Sequence, residues 1–408
     1  MDRSQELERA VRYFTEESGI MDSMAVAAGQ GSVLLRAEGG RETGPDTLYD
    51  LASVTKLFTG ICCLRLRDEG RLRLSGRITE YEPRFVHLSA VTVEQLLGFQ
   101  LQIRTAGRVD AAKTRGEALA RLFGSEVVPQ AGTEGGIQSI HHTPGHVIRR
   151  FYSDIPAMIL KYVIEGASGM PFYECLRELI LMPAGMQETW ARVPDHRRKD
   201  CLLYGPEYRV EKERFIRRDP AARGIPHDPK AAVLQQDSGD LCGHAGLYST
   251  VEDMIRFCRA LLQGRILPPA SLAELAVNRT GRQLPDGSYT QFLGYQCYVK
   301  HPDQFFSEIP LSMSPSAFGI GGFTGNHVSV DPGTDRFTLY LGNRVRNRLT
   351  MLLPEEGRDF ASYGLRGDGS GIITWPDGTR HFSSVNYVHQ KDSRLHAAID
   401  RALRTCKT

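Results

Sequence analysis

The sequence predicts an α/β (α+β) fold in which one domain is built from both chain ends, residues 1–74 and 241–408, and a mostly helical stretch at 75–240 interrupts it. Three observations lead there. Short β-branched runs with glycine punctuation lie near the N-terminus and again after residue 241; apolar residues at helical spacing dominate between them; and a last helical pattern at about 393–404 closes the chain.

Composition narrows the function classes. The 408 residues are 41% hydrophobic and 24% charged, the make-up of a globular protein of roughly two to three domains. Fifty basic and 48 acidic residues, a formal net charge of +2, are spread along the whole length, so no basic face points to nucleic acid and no polybasic tract to a membrane surface. The N-terminal "MDRSQELERAVRYF" carries charge from its second residue, which predicts an amphipathic helix rather than a signal peptide, and the charge-free run Ile309 to Val330 is broken by two prolines and four glycines. The expectation is a cytoplasmic protein. Its eight cysteines show no CxxC or Cys/His metal spacing and read as reduced, mostly buried thiols.

In chain order, "SMAVAAGQGSVLLRAEGG" predicts a hairpin turning at Gly29 to Gly31. Leu57, Phe58, Ile61, Cys62 and Leu64 recur at helical intervals from Val54 to about Arg67, with Gly70 as a stop. Helical patterns follow in "TVEQLLGF", "TRGEALARLFG", "DIPAMILKYVIEGASG" and "FYECLRELILMPAGM". "TVEDMIRFCRALLQG" is a further helix, capped by Ser249 or Thr250 with Glu252 and Asp253 in its first turn. Strands are expected at "GNHVSVDP" and "RFTLYLGN".

Within "DLASVTKLFTG", residues 50–60, Ser53 precedes Lys56 by three positions where a helix begins. A serine hydroxyl needs a base to become a nucleophile, and a lysine one turn along the same helix face can serve if burial lowers its pKa. Taken alone, the pattern reads more simply as a serine cap followed by a surface lysine. Two further stretches shift that balance: "FYSDIPAMILKYVIEGASGMPFYE", which contains Tyr152 and Asp154, and "LCGHAGLYSTVEDMIRF".

With "LYDLASVTKLFTG" these stretches resemble the motifs of the class C β-lactamase-like serine hydrolases, the group of β-lactamases, penicillin-binding-protein-like esterases, D-aminopeptidases and DD-carboxypeptidases. "FGIGGFTGNHVSVDP" is similar to the third motif and its strand, and the four matches fall in order over about residues 20–345. The resemblance implies an antiparallel sheet flanked by helices, with a mostly helical inserted domain. It implies Ser53 as the acylated nucleophile, Lys56 as the amine that helps take its proton, and Tyr152 as a general base and later acid, as phenolate or through a shared proton. Asp154 falls where the family has an amide or a carboxylate; positioning Lys56 and capping the next helix are both open readings. The N–H groups of Ser53 and Phe323, with Gly321 and Gly322 shaping the edge, would form the oxyanion hole.

The third motif departs from the family pattern. A Lys-Thr-Gly or His-Thr-Gly is replaced by Ile320, Gly321 and Gly322, which removes a cation suited to a substrate carboxylate. The substrate is then neutral at that end or anchored elsewhere, for instance by Arg344 or His327, each of which also reads as a surface residue. Residues 352–384 are an atypical insertion in which "ITWPDGTRHF" predicts a hairpin. Trp375 within it reads as packing. His141, His142, His227 and Asp228 lack metal-ligand spacing, His244 reads as part of a tight buried bend, and "GIGGFTG" is no dinucleotide fingerprint. The expected function is a cytoplasmic serine hydrolase acting through a Ser53 acyl-enzyme on a small-molecule ester or amide, with no cofactor, no metal, no nucleic acid and no membrane. The alternatives are a β-lactamase or D-alanyl hydrolase, and a non-catalytic binding protein on the same scaffold.

Overall fold

The computed structural model of the 408-residue chain describes residues 3–128, 137–139, 147–211, 214–236, 238–301, 308–353, 366–367, 372–374, 378, 380–385 and 387–404. His141, His142, Trp375 and Cys406 lie outside them.

Six strands from the two chain ends, β1 (Ser23–Gln30), β2 (Val33–Gly40), β3 (Tyr298–Val299), β4 (Phe318–Gly321), β5 (His327–Asp331) and β6 (Arg336–Gly342), form one sheet in the order β3-β4-β5-β6-β1-β2. Every neighbouring pair is antiparallel. Alternation along β1 separates two cores, because successive side chains leave opposite faces of a strand. Met24, Val26 and Ala28 meet Leu7 and Val11 of α1 (Arg3–Arg12) and Ile399 and Leu403 of α6 (Ala397–Arg404). Ala25 and Ala27, with Leu339 and Leu341 of β6, face the helical side instead.

That side begins with α2 (Thr55–Asp68), buried on every side from Thr55 to Leu64, and α3 (Ile155–Ser168), buried from Pro156 to Ile164. A helix buried all round shows little apolar asymmetry, which suits its place between sheet and helical layer. Next come α4 (Pro229–Gln235) and α5 (Val251–Leu262). The cap of α5 is Thr250, whose hydroxyl accepts from the Asp253 N–H at 3.2 Å. The first hairpin turns slightly later than its glycines suggested, since Gly29 and Gln30 still belong to β1.

A second sheet was not legible as such. Glu207–Glu211 and Arg214–Arg218 form a hairpin inside the stretch read as helical. The first of these strands pairs in parallel with Arg348–Leu353, which pairs with Arg380–Ser383, itself antiparallel to Ile372–Thr374. The hairpin expected around residue 376 therefore joins a sheet with a distant segment. Its signal is masked because charge occupies strand positions where apolar residues are normally sought: Glu207 is fully buried and held by Arg209, Arg218 and His227. The seven described cysteines are free and buried, and among the described residues no helix is long and apolar enough to cross a membrane.

Candidate active site

Strand residues Tyr49 and Asp50 lead into a short 3-10 turn, Ala52–Val54, that carries Ser53 to the start of α2. Ala52 has φ +47°, a left-handed conformation that costs a non-glycine residue on the order of 1–2 kcal/mol. Asp50 holds it there. One carboxylate oxygen accepts from the Ala52 N–H at 2.9 Å and the other from the His227 N–H at 2.8 Å. The Asp50 carbonyl accepts from the Thr324 hydroxyl at 2.9 Å and the Asn326 amide at 2.5 Å, which ties the third-motif loop to the nucleophile turn.

The Lys56 ammonium, 0% exposed, lies 2.9 Å from Ser53 Oγ, 2.7 Å from Asp154 Oδ1 and 3.2 Å from the His244 carbonyl. The surface-lysine reading of the motif is thereby excluded. Burial is the largest influence on Lys56 and lowers its pKa, against the pull of the Asp154 and Asp228 carboxylates; the Lys230 charge acts in the same direction as burial.

Tyr152 is stacked between Phe99 and Tyr298, with ring centroids 5.5 Å away on either side, and its ring lies 4.9 Å from the Lys56 ammonium. Gln291 accepts from the N–H groups of Phe151 and Tyr152 at 2.9 and 2.8 Å, fixing the backbone that carries the phenol. Burial, followed by the Asp154 charge, pushes the phenol well above its ordinary pKa, while its hydrogen bond to Ser53 pulls the other way. Tyr152 therefore keeps its proton near neutral pH.

Asp154 occupies the N-cap position of α3 but makes no side-chain cap bond. Its carboxylate instead bridges Lys56 and Lys230, at 2.7 and 3.1 Å, which separates the two readings left open by the sequence. Lys230 also reaches Asp228 at 3.0 Å, and Asp228 Oδ1 accepts from His244 Nε2 at 3.0 Å. Ligand atoms of Asp154, Asp228 and His244 lie within 4.8 Å of one another, and the Lys230 ammonium supplies the cation between the two carboxylates. The "GHAG" bend is tight as expected: a Cβ on Gly243 would sit 2.0 Å from the Ala157 carbonyl.

Gly322 lets the third motif approach the nucleophile turn, since a Cβ there would lie 2.7 Å from the Leu51 carbonyl. The Ser53 and Phe323 N–H groups carry no backbone hydrogen bond among the described residues, as an oxyanion hole would require of its donors. Ile320 points into the apolar core and is fully buried. A Cβ on Gly321 would meet Glu308 Oε2 at 2.8 Å, so a carboxylate stands beside the position of the missing threonine side chain.

Neither proposed substitute for the missing cation is a surface residue. Arg344 is 8% exposed, donates to the Phe323 carbonyl at 2.7 Å and to the Ser384 carbonyl at 3.3 Å, and stacks under the Phe323 ring. It fixes the third-motif loop from behind. His327 is buried in the sheet, stacked on Tyr340 at 4.7 Å and 3.5 Å from Glu308, and burial pushes its pKa down to about 4. Sequence reading missed Asp50, Lys230, Gln291 and Glu308. Only Asp50 had a local signal, lying inside the Ser53 motif.

Comparison with known proteins agrees with this geometry. The Beta-lactamase family model matches residues 7–355. A "Putative D-alanyl-D-alanine carboxypeptidase" of Escherichia coli (strain K12) is 25% identical over 334 residues, 77% of this chain and 72% of that protein. Its Salmonella typhi namesake is 25% identical over 321 residues, covering 73% and 70%. Among solved structures, "EstCE1, a hydrolase with promiscuous acyltransferase activity" superposes with a TM-score of 0.66 at 14% identity, covering 97% of this chain and 98% of its own. A penicillin-binding protein homologue from Caulobacter crescentus gives 0.63 at 19%, covering 86% and 94%. A class C β-lactamase gives 0.60 at 13%, covering 84% and 91%. These likenesses bear out the antiparallel sheet with helices and the expected resemblance, and the match over residues 7–355 places the chain in the Beta-lactamase family of serine hydrolases.

Proposed function

We propose that the protein is an esterase-like hydrolase that forms an acyl-enzyme at Ser53 and prefers substrates uncharged at the end facing the third motif. The observation that carries the reading is the 2.9 Å contact between Ser53 Oγ and a fully buried Lys56. In its neutral form Lys56 takes the Ser53 proton as Oγ attacks the substrate carbonyl carbon. The Ser53 and Phe323 N–H groups receive the developing oxyanion. Tyr152, still protonated, passes its proton to the leaving oxygen and recovers one from Lys56, so it works through a shared proton rather than as a resting phenolate. Water then attacks the ester carbon, Ser53 Oγ leaves with a proton, and the acid is released.

The selectivity half of the reading is supported by Ile320 and Glu308. An isoleucine in the core offers no charge, and the carboxylate beside Gly321, that of Glu308, already occupies the Lys391 ammonium and so keeps it from serving a substrate carboxylate. Burial opposes ionisation of Glu308, but Lys391 at 2.8 Å and His327 outweigh it and hold its pKa well below the usual range. The rival activity, on carboxylated β-lactams or D-alanyl peptides, places an anion at that end. Matched chromogenic esters with and without a carboxylate separate the two. The neutral ester is expected to have the higher kcat/KM. Glu308→Gln is expected to raise the relative rate of the carboxylated one about tenfold, the effect of a unit charge at roughly 10 Å and an effective dielectric of ~20. A wild-type preference for the carboxylated ester, or for a chromogenic cephalosporin, would reverse the assignment. The third reading, a binding protein without catalysis, predicts no turnover of any ester.

A further inference from the structure

We infer that Lys230 is a positioning residue for acylation: it offsets the charge of Asp154 and so leaves Lys56 free to act as a neutral base. This rests on the reading of Ser53 and Lys56 above, and it assigns a task to a residue that lies outside every motif.

A carboxylate 2.7 Å from a lysine is a poor neighbour for a base, because it stabilises the ammonium form. Asp154 therefore works against the loss of the Lys56 proton that burial favours. The second ammonium changes the balance. Lys230 Nζ lies 3.1 Å from Asp154 Oδ2 and 3.0 Å from Asp228 Oδ2, so each carboxylate of the pair has a cation whether or not Lys56 is charged. The groups facing Lys56 are Ser53 on its own turn, Tyr152 and Asp154 ahead of α3, Asp228 and Lys230 at the start of α4, and His244 from the bend before α5. With two carboxylates and Lys230, the cluster tolerates Lys56 in its neutral form; without Lys230 the two carboxylates face Lys56 alone.

Local structure does not account for Lys230. It sits in the first turn of α4, where a cation opposes the helix dipole at a cost of about 0.3–1 kcal/mol. The end of that helix is already capped by Asp228, which accepts from the N–H groups of Lys230 and Ala231 at 2.9 Å. Burial works against the Lys230 charge as well, but Asp154 and Asp228 outweigh it and keep the side chain protonated. The side chain remains 24% exposed, so its replacement leaves no closed cavity.

The test is the pH dependence of Ser53 phosphonylation by a fluorophosphonate. In that reaction the Oγ–P bond forms, fluoride leaves with the P–F electron pair, and the serine proton passes to Lys56 and then to solvent. In the wild type the rate is expected to rise with pH as Lys56 loses its proton. Lys230→Met should move this limb to higher pH by about 1 unit or more, equivalent to about a tenfold slower reaction on the rising limb. Lys230→Arg should leave it in place. The double variant Asp154→Asn/Lys230→Met, which removes both charges, should return the limb toward its wild-type position. A role confined to packing predicts that the double variant is no better than the single one. An unmoved limb in Lys230→Met, or no return in the double variant, overturns the assignment. No adduct on the wild type at any pH removes the Ser53 reading itself and this inference with it.

Discussion

Lys56→Met is expected to slow acylation of Ser53 by about two to four powers of ten while leaving the folded state as stable as the wild type, or more so. The two effects have opposite signs for one reason. A buried ammonium loses its hydration, and removing one member of a buried ion pair is costly only through the charge it strands, whereas a buried ionic group replaced without leaving an unpaired charge is often neutral or stabilising. Asp154 is not orphaned by the change, because Lys230 stays 3.1 Å away. The rate of phosphonate labelling and a denaturant titration on the same variant separate the outcomes. An unchanged rate with lowered stability would make Lys56 a structural ion-pair partner.

Glu207 is expected to show the largest effect on stability away from the reacting groups. Its carboxylate is fully buried and accepts from Arg209 Nε at 2.6 Å, Arg218 Nη1 at 3.0 Å and the Thr350 hydroxyl, with His227 Nε2 at 2.8 Å. Glu207→Ala leaves two guanidinium groups and an imidazole without their anion, and a loss of about 3–5 kcal/mol is expected in chemical denaturation. Burial opposes ionisation, but His227 and Arg209 outweigh it and hold the folded pKa far below that of an unfolded glutamate. A depressed folded pKa adds stability above the unfolded value of about 4.3, and that stability drains away as pH falls below it. The gap between wild type and variant should therefore narrow below about pH 4. A gap that stays constant with pH would mean that the carboxylate charge is not what the cluster uses.

Glu207 also bears on the reacting groups through His227. The imidazole lies parallel to the Phe323 ring at 6.3 Å, and the His227 N–H holds Asp50, which in turn holds the turn before Ser53. The second sheet thus supports the turn before Ser53 and the third-motif loop from behind.

What could be read from the sequence follows the physics of each signal. The central sheet and its helices came from alternation and 3.6-residue spacing, which local patterns carry. Ser53 and Lys56 came from their spacing and Tyr152 from the family resemblance of its motif, and the structure brings the three together with Asp154. Lys230 and Glu308 were invisible because each acts on a partner far away in the chain, Asp154 in one case and Gly321 in the other. Arg344 was visible but misplaced: a lone arginine after a strand looks solvent-exposed until the fold supplies the Phe323 and Ser384 carbonyls it binds. The hairpin at 207–218 was hidden because buried ion pairs occupy positions where pattern reading looks for apolar residues.

Intact-mass analysis of wild type and Ser53→Ala after incubation with a fluorophosphonate tests whether Ser53 is the activated nucleophile. One covalent adduct is expected on the wild type and none on Ser53→Ala under the same conditions. A folded wild type that forms no adduct, or a Ser53→Ala variant that is labelled equally, would contradict that role.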